Sequence, residues 1–273
     1  MDSSTRVLPI VDQGYDWITC TAPNDDQGRA LISRAEDAMA DEVQGDDFEE
    51  PWHFQGYHGF KKGHIRWGWG KQGGCVVMSS WCANRYAPSL AQHAAHWSRV
   101  DYQVTVFDAT GQRNLGNEAW EAWHWRDNPG KGPCMPTRIE TLSGGTSFYT
   151  GQRSSAKYGR IYDKHAESPR AYARGCWRYE VELKREQSEL ARQSEAGYWH
   201  SDEEIGAMVH GYYRALRLEP HFIANSKALP SGRCCREYDA DRVAEWLERQ
   251  VAPSVHKLAE ARGVPYVRSL LNL

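Results

Sequence analysis

A chain of 273 residues, 40% hydrophobic and 25% charged with a net charge of −3, can bury one large core or two modest ones. It has no apolar run of about eighteen residues, which excludes a membrane-spanning helix, and its start, MDSSTRVLPIVDQGYDW, lacks the basic and apolar regions expected of a signal peptide. Seven cysteines, an odd number with Cys234 beside Cys235, fit a reducing cytoplasm better than a disulfide framework.

In chain order, DWITCTAP (16–23) alternates and ends at Pro23, which predicts a strand. ALISRAEDAMADEV (30–43) has helical spacing through Leu31, Ala35, Ala38 and Met39, and the acidic QGDDFEEPW (44–52) reads as a loop. HIRWGWG and GGCVVMSS predict antiparallel strands about the glycines at 73–74. APSLAQHAAHWS (87–98) predicts a helix with Pro88 near its first turn. RVDYQVTVFDA (99–109) alternates cleanly, GNEAWEAWHWR (116–126) is helical, and NPGKGPCMP (128–136) is a loop. TSFYTG (146–151), YGRIYDK (158–164) and WRYEVELKRE (177–186) predict three more strands. Beyond Glu186 the texture turns helical, with a break at Pro253 and a stop at Gly263. The expected fold class is α+β: an antiparallel sheet with helices packed on one face, followed by a smaller helical C-terminal region. The expected division is 1–185 for the α+β part and 186–273 for the helical part, the latter either origin-binding or packed on the first.

Three of these strands pair an apolar face with a polar face rich in titratable groups. Period two puts Asp101 and Gln103 on one such face, Arg160, Tyr162 and Lys164 on a second, and Arg178, Glu180 and Glu182 on a third. The bland account is a solvated sheet face with cross-strand ion pairs. The alternative is phosphoryl transfer at a DNA phosphodiester. A tyrosine between two cations has its phenolate favoured, and carboxylates such as Asp101 and Glu180 are hard ligands for Mg or Mn. Charge is compatible with DNA without proving it. Residues 1–50 carry three Arg against thirteen Asp and Glu, whereas the span from Arg153 to Arg185 carries nine Lys and Arg against four Asp and Glu.

The stretches VDQGYDWITCT, WSRVDYQVTVFD, GTSFYTGQRSSAKYGRIYDKHAE, WRYEVELK and WLERQVAPSVHKLAEARG stand in this order between residue 11 and about residue 263. Together they resemble the replication initiation factor family, the Rep proteins and relaxase-like nickases of rolling-circle plasmids, filamentous phages and integrative elements. The resemblance implies a metal-dependent tyrosine DNA endonuclease and strand transferase, which nicks one strand at an origin and remains joined to its 5′ phosphate. Tyr162 would then be the nucleophile, with Arg160 and Lys164 beside it, and Asp101 and Glu180 would hold a divalent metal, Mg or Mn. Arg153, Lys157 and Arg178 would contact DNA. The expected partners are origin DNA, single-stranded or duplex, a second copy of the chain and host replication proteins, in the cytoplasm and away from any membrane.

Some features depart from that pattern or compete with it. The His-hydrophobic-His triplet of many rolling-circle nickases is missing, as it tends to be in the resembled family. Position 103 is Gln where a second acidic ligand could stand, and Ser80 and Trp81 occupy a place where glycine is expected. Tyr149 and Tyr158 are alternative nucleophiles. Trp67 and Trp69 share a strand face and could stack on single-stranded bases or serve packing. His53, His58, His64, Cys75 and Cys82 fit no standard zinc spacing, so structural or surface roles are expected for them. The rival functions are a relaxase serving conjugative transfer, a catalytically degenerate DNA-binding regulator on the same scaffold, and an RNA-binding protein.

Overall fold

The computed structural model describes residues 7–41, 49–124, 136–140, 145–192, 200–229, 248 and 252–271. Its described strands are β1 Ile10–Ala22, β2 Glu50–Phe54, β3 Tyr57–Lys62, β4 Ile65–Gly70, β5 Gly73–Ser79, β6 His96–Phe107, β7 Thr137–Glu140, β8 Thr146–Thr150, β9 Lys157–Asp163 and β10 Cys176–Lys184. They form one sheet in the order β2-β3-β4-β5-β1-β6-β10-β9-β8-β7. Every neighbouring pair is antiparallel. Helices α1 Asp26–Asp41, α2 Ser80–Ala91, α3 Leu115–His124 and α6 Asp202–Ala215 pack on the sheet. The short α4 Lys164–Glu167 and α5 Glu186–Arg192 follow β9 and β10. This is the α+β layering expected from the alternation. Among the described residues, no helix is long and apolar enough to cross a membrane.

The core lies between the helices and the apolar face of the central strands. Val100, Tyr102, Val104 and Val106 of β6 join Tyr179, Val181 and Leu183 of β10 and Ile161 of β9, and meet Met208, Val209 and Tyr213 of α6. Ser201 caps α6 in a reciprocal box: its hydroxyl accepts from Glu204 N while Glu204 accepts from Ser201 N. On β1, Tyr15 faces Tyr102 and the next matched residue, Trp17, faces Asp101. Asp16 is therefore the extra residue of a bulge, a device that re-aims a side chain. On the helix side, His221 joins β10 to α3, its Nδ1 2.7 Å from Tyr179 Oη and its Nε2 3.1 Å from Glu118 Oε2. Arg113 completes the clamp by bonding both Glu118 oxygens.

Several boundaries differ from the sequence expectation. The helix expected over 87–98 runs instead from Ser80 to Ala91, with Pro88 inside it, and residues from His96 onward are already strand. The apolar stripe Cys82, Ala83, Ala87 and Leu90 sets this register, and tertiary burial outweighs the missing N–H of Pro88. Within the acidic stretch read as a loop, Glu50–Phe54 forms an edge strand, paired only with β3. Its charged, exposed character is how edges are protected and is also what hid it. The loop expected at 128–136 lies outside the described residues except for Pro136. The chain divides into compact units Met1–Arg233 and Cys234–Leu273, so α5 and α6 belong to the unit that holds the sheet. The second unit contains α7 Ala252–Arg262, with Pro253 in its first turn, and α8 Val264–Leu271. Gly263 at φ +83° separates the two.

Gly159 of β9 lies under α6. A Cβ there would meet Thr150 Oγ1 at 2.4 Å and Tyr212 Cε1 at 2.6 Å. Gly159→Val is expected to lower the unfolding free energy by about 1–3 kcal/mol in urea titrations. Burial raises the Glu118 carboxyl, but the hydrogen bonds from His221 and Arg113 outweigh it and hold the group at about 2. An unfolded glutamate titrates near about 4.3. Its contribution is therefore complete above that value and lost as pH falls toward 2. Glu118→Gln should destabilise the protein at pH 7, and the gap to the wild type should close between about pH 4 and pH 2 in denaturation curves.

Candidate active site

The polar face of the sheet, opposite the side packed by α6, is organised by three registers. β6 and β10 set Asp101 opposite Glu182, Gln103 opposite Glu180 and Thr105 opposite Arg178. β10 and β9 set Arg178 opposite Tyr162, Glu180 opposite Arg160 and Glu182 opposite Tyr158. β9 and β8 set Tyr162 opposite Ser147 and Arg160 opposite Tyr149. Because side chains alternate, all of these share one face.

Glu180 is fully buried, yet it is ion-paired with Arg160 and accepts the Tyr162 hydroxyl at Oε2, 3.1 Å away. Asp101 is 1% exposed. It accepts from Arg99 Nε at 2.8 Å and lies 3.9 Å from Arg160 Nη2. Burial pushes the Asp101 carboxyl up to about 6 against the pull of Arg99 and Arg160, with Glu182 adding to the rise. Arg99 also reaches Glu182 at 3.3 Å and lies over the Trp17 ring at 4.7 Å. Arg99 and Glu182 were not singled out from sequence as site residues. Each stands two places from a predicted carboxylate, Arg99 before Asp101 and Glu182 after Glu180, so the same alternation carries them.

Tyr162 is 9% exposed and lies between cations, with Arg160 Cζ and Lys164 Nζ each 5.7 Å from its ring centroid. Lys164 is not on the strand. Asp163 ends β9 and caps α4 by accepting from Ala166 N at 2.9 Å, and Lys164 opens that helix. Burial pushes the phenol above its ordinary value; Arg178 opposes it first, and Arg160 less. The expectation that the flanking cations lower this pKa therefore needs correcting: in the free protein, removal from water outweighs them. Tyr158 and Tyr149 share the face and stack with centroids 5.8 Å apart at 22°.

Arg178, expected to touch DNA, is 2% exposed and is the hub of a buried network. Its Nη1 donates to Asp16 at 2.6 Å, and its Nη2 to Tyr172 Oη at 2.7 Å and Asp12 at 3.1 Å. Its Nε donates to Thr105 Oγ1 at 2.9 Å, and Thr105 in turn donates to Gln103 Oε1 at 2.9 Å. The bulge at Asp16 and the register opposite Tyr162 turn this guanidinium inward. Gln103 is thus a member of a hydrogen-bond chain, and a carboxylate there would change the charge balance of the network. Arg153 lies exposed in the β8–β9 loop and Lys157 is half-buried at the start of β9. Trp67 and Trp69 pack against the core, which favours the packing role. Cys75 and Cys82 are buried and form no disulfide, and His53 and His58 bond each other at 2.8 Å.

Asp101, Glu180 and Glu182 are hard oxygen donors on adjacent strands, and each is engaged by Arg99, Arg160 or Tyr162. Among the described residues no three His, Cys, Asp or Glu side chains form a metal cage. Mg is commonly held by one or two carboxylates with water and phosphate oxygens completing its shell.

A family model described as replication initiation factor matches residues 129–270. That span contains Tyr162 and Glu180, while Asp101 precedes it. Among solved structures, the chain is similar to a rolling circle replication initiator protein from Geobacillus stearothermophilus, with a TM-score of 0.53, 14% identity and coverage of 83% of this chain and 89% of that one. At that identity the likeness concerns the fold. No curated protein matches.

Removing Arg178 strands two carboxylates and Thr105. Arg178→Met is expected to cost about 3 kcal/mol, the low end for breaking a buried pair because Asp12 and Asp16 still reach water. Urea unfolding tests this, with Arg153→Ala expected to stay within about 0.5 kcal/mol of the wild type.

Proposed function

Because the chain belongs to the replication initiation factor family, we propose that it starts rolling-circle replication by nicking one strand of origin DNA through a covalent 5′-phosphotyrosine, and later rejoins that strand. The observation that carries this reading is the Tyr162 hydroxyl, bonded to Glu180 on the polar sheet face and flanked by Arg160 and Lys164. In the reaction, Tyr162 Oη attacks the phosphorus and passes its proton to Glu180 Oε2. The bond from phosphorus to the 3′ oxygen breaks, leaving a 3′ hydroxyl once that oxygen takes up a proton. The phosphoester energy is kept in the new tyrosine–phosphate bond, so attack by a 3′ hydroxyl can reverse the step. Arg160 and Lys164, whose charges lie over the Tyr162 ring, would stabilise charge developing on the phosphate oxygens. Asp101 and Glu180 would hold Mg or Mn, which when bound supplies a Lewis acid to the phosphate. Arg153 and Lys157 are proposed to contact the DNA backbone, and Arg178 to influence the ionisation of Tyr162 from the neighbouring strand.

The buried, raised phenol gives this reading a physical requirement. On this reading, bound DNA and metal would offset the cost of ionising the buried phenol, so activation would follow substrate binding. Incubating the protein with a single-stranded DNA library and Mn²⁺ should yield protein–DNA adducts on denaturing gels, and Tyr162→Phe should abolish them. An adduct surviving in Tyr162→Phe would move the role to Tyr158 or Tyr149. Tight binding without any adduct would make the protein a DNA-binding regulator.

A further inference from the structure

A cavity of about 210 Å³ opens beside Tyr162, on the β8 side of β9. Its lining includes Ser147 and Tyr149 of β8, Arg160 and Tyr162 of β9, and Asp163 and Glu167 at the start and end of α4. The catalytic scheme uses only Arg160 and Tyr162 of these. The remainder is ill suited to a phosphate: two carboxylates would repel it, and the Lys164 ammonium is engaged by Glu167. It is suited to something flat and aromatic that presents hydrogen-bond donors. Tyr149 supplies a ring wall, half-exposed and braced by its stack on Tyr158. Asp163 uses Oδ1 to cap α4, which leaves Oδ2 as an acceptor, and Glu167 and Ser147 add further acceptor oxygens.

We propose that this cavity is a nucleobase pocket that receives the base next to the scissile phosphate and selects a base bearing an amino group, namely adenine, cytosine or guanine, over thymine. The proposal rests on the reading of Tyr162 as the nucleophile, since that fixes which phosphate lies alongside. Ser147 stands directly opposite Tyr162 in the β8–β9 register, so a strand whose phosphate meets the phenol has a neighbouring base within reach of the cavity. Unstacking a base into a snug pocket, where aromatic walls and edge hydrogen bonds read it, is an established way for proteins to recognise single nucleotides. Thymine offers one N–H between two carbonyls, and those carbonyls would face carboxylate oxygens with no proton between them. The amino-bearing bases turn donors toward the same oxygens.

The test is to sequence both products of adducts formed from a randomised single-stranded oligonucleotide with Mn²⁺, and to score the bases on either side of the cleaved phosphate. In the wild type, thymine should be depleted roughly tenfold at one of the two flanking positions, the scale of a good base contact. Glu167→Gln and Asp163→Asn should each restore thymine there several-fold, leaving preferences at more distant positions in place. Tyr149→Ala should weaken all preference at that position. Glu167 is half-exposed at the end of α4, so Glu167→Gln remains informative if Asp163→Asn disturbs the cap. Adducts that depend on Tyr162 but show no flanking preference, or a preference that all three substitutions leave unchanged, would overturn the pocket alone. Absence of wild-type adducts, or adducts that persist in Tyr162→Phe, would remove the nucleophile assignment and the pocket with it.

Discussion

The polar face of the sheet depends on one problem, a carboxylate with no access to water. Glu180 is fully buried in the centre of the sheet, and a charge in that position is tolerated only if its oxygens are matched. Arg160 pairs with one oxygen and Tyr162 donates to the other, so the requirement to satisfy Glu180 determines where both side chains point. The backbone of the same residues is held from the opposite side. The Tyr213 hydroxyl of α6 lies 2.9 Å from the carbonyl oxygen of Glu180 and 2.7 Å from that of Arg160. The chemistry of the polar face and the packing of the core therefore meet at a single strand pair.

Much of this was legible because antiparallel strands with one buried face advertise themselves. RVDYQVTVF, YGRIYDK and WRYEVELK each alternate, and the alternation brought Asp101, Tyr162, Glu180 and Glu182 to polar strand faces. Alternation specifies a face and says nothing of depth. Arg178 has the same periodicity as Glu180, yet whether a guanidinium reaches solvent or turns inward depends on a bulge in β1, far away in sequence, that delivers Asp16. The position of Lys164 was misread for a local reason: Asp163 is a good cap, and a strand pattern continues in sequence for one residue after the backbone has turned into a helix. The helix at Ser80–Ala91 shows the reverse, a segment whose proline suggested a start while its buried stripe lay to the N-terminal side.

The family match and the structural likeness cover different parts of the molecule. The matched residues 129–270 include β8, β9 and β10 with the tyrosine and one carboxylate, whereas β1 to β6, which supply Asp12, Asp16, Arg99 and Asp101, lie before them. The likeness to a solved initiator spans 83% of the chain. Strand pairing can hold the geometry of these earlier residues while the identity of individual side chains drifts, since backbone hydrogen bonds do not depend on side-chain type.

The place of β9 within the sheet bears on mechanics. It is laddered on both sides, to β10 and to β8, and Tyr162 sits near its C-terminal end. A DNA strand joined to that side chain would transmit tension from a moving replication machinery straight into β9. Pulled along its axis, a strand with two antiparallel neighbours loads many hydrogen bonds together, whereas an edge strand peeled away from its partner would give them up one at a time. The proposed nucleophile is thereby mounted where the sheet resists shear.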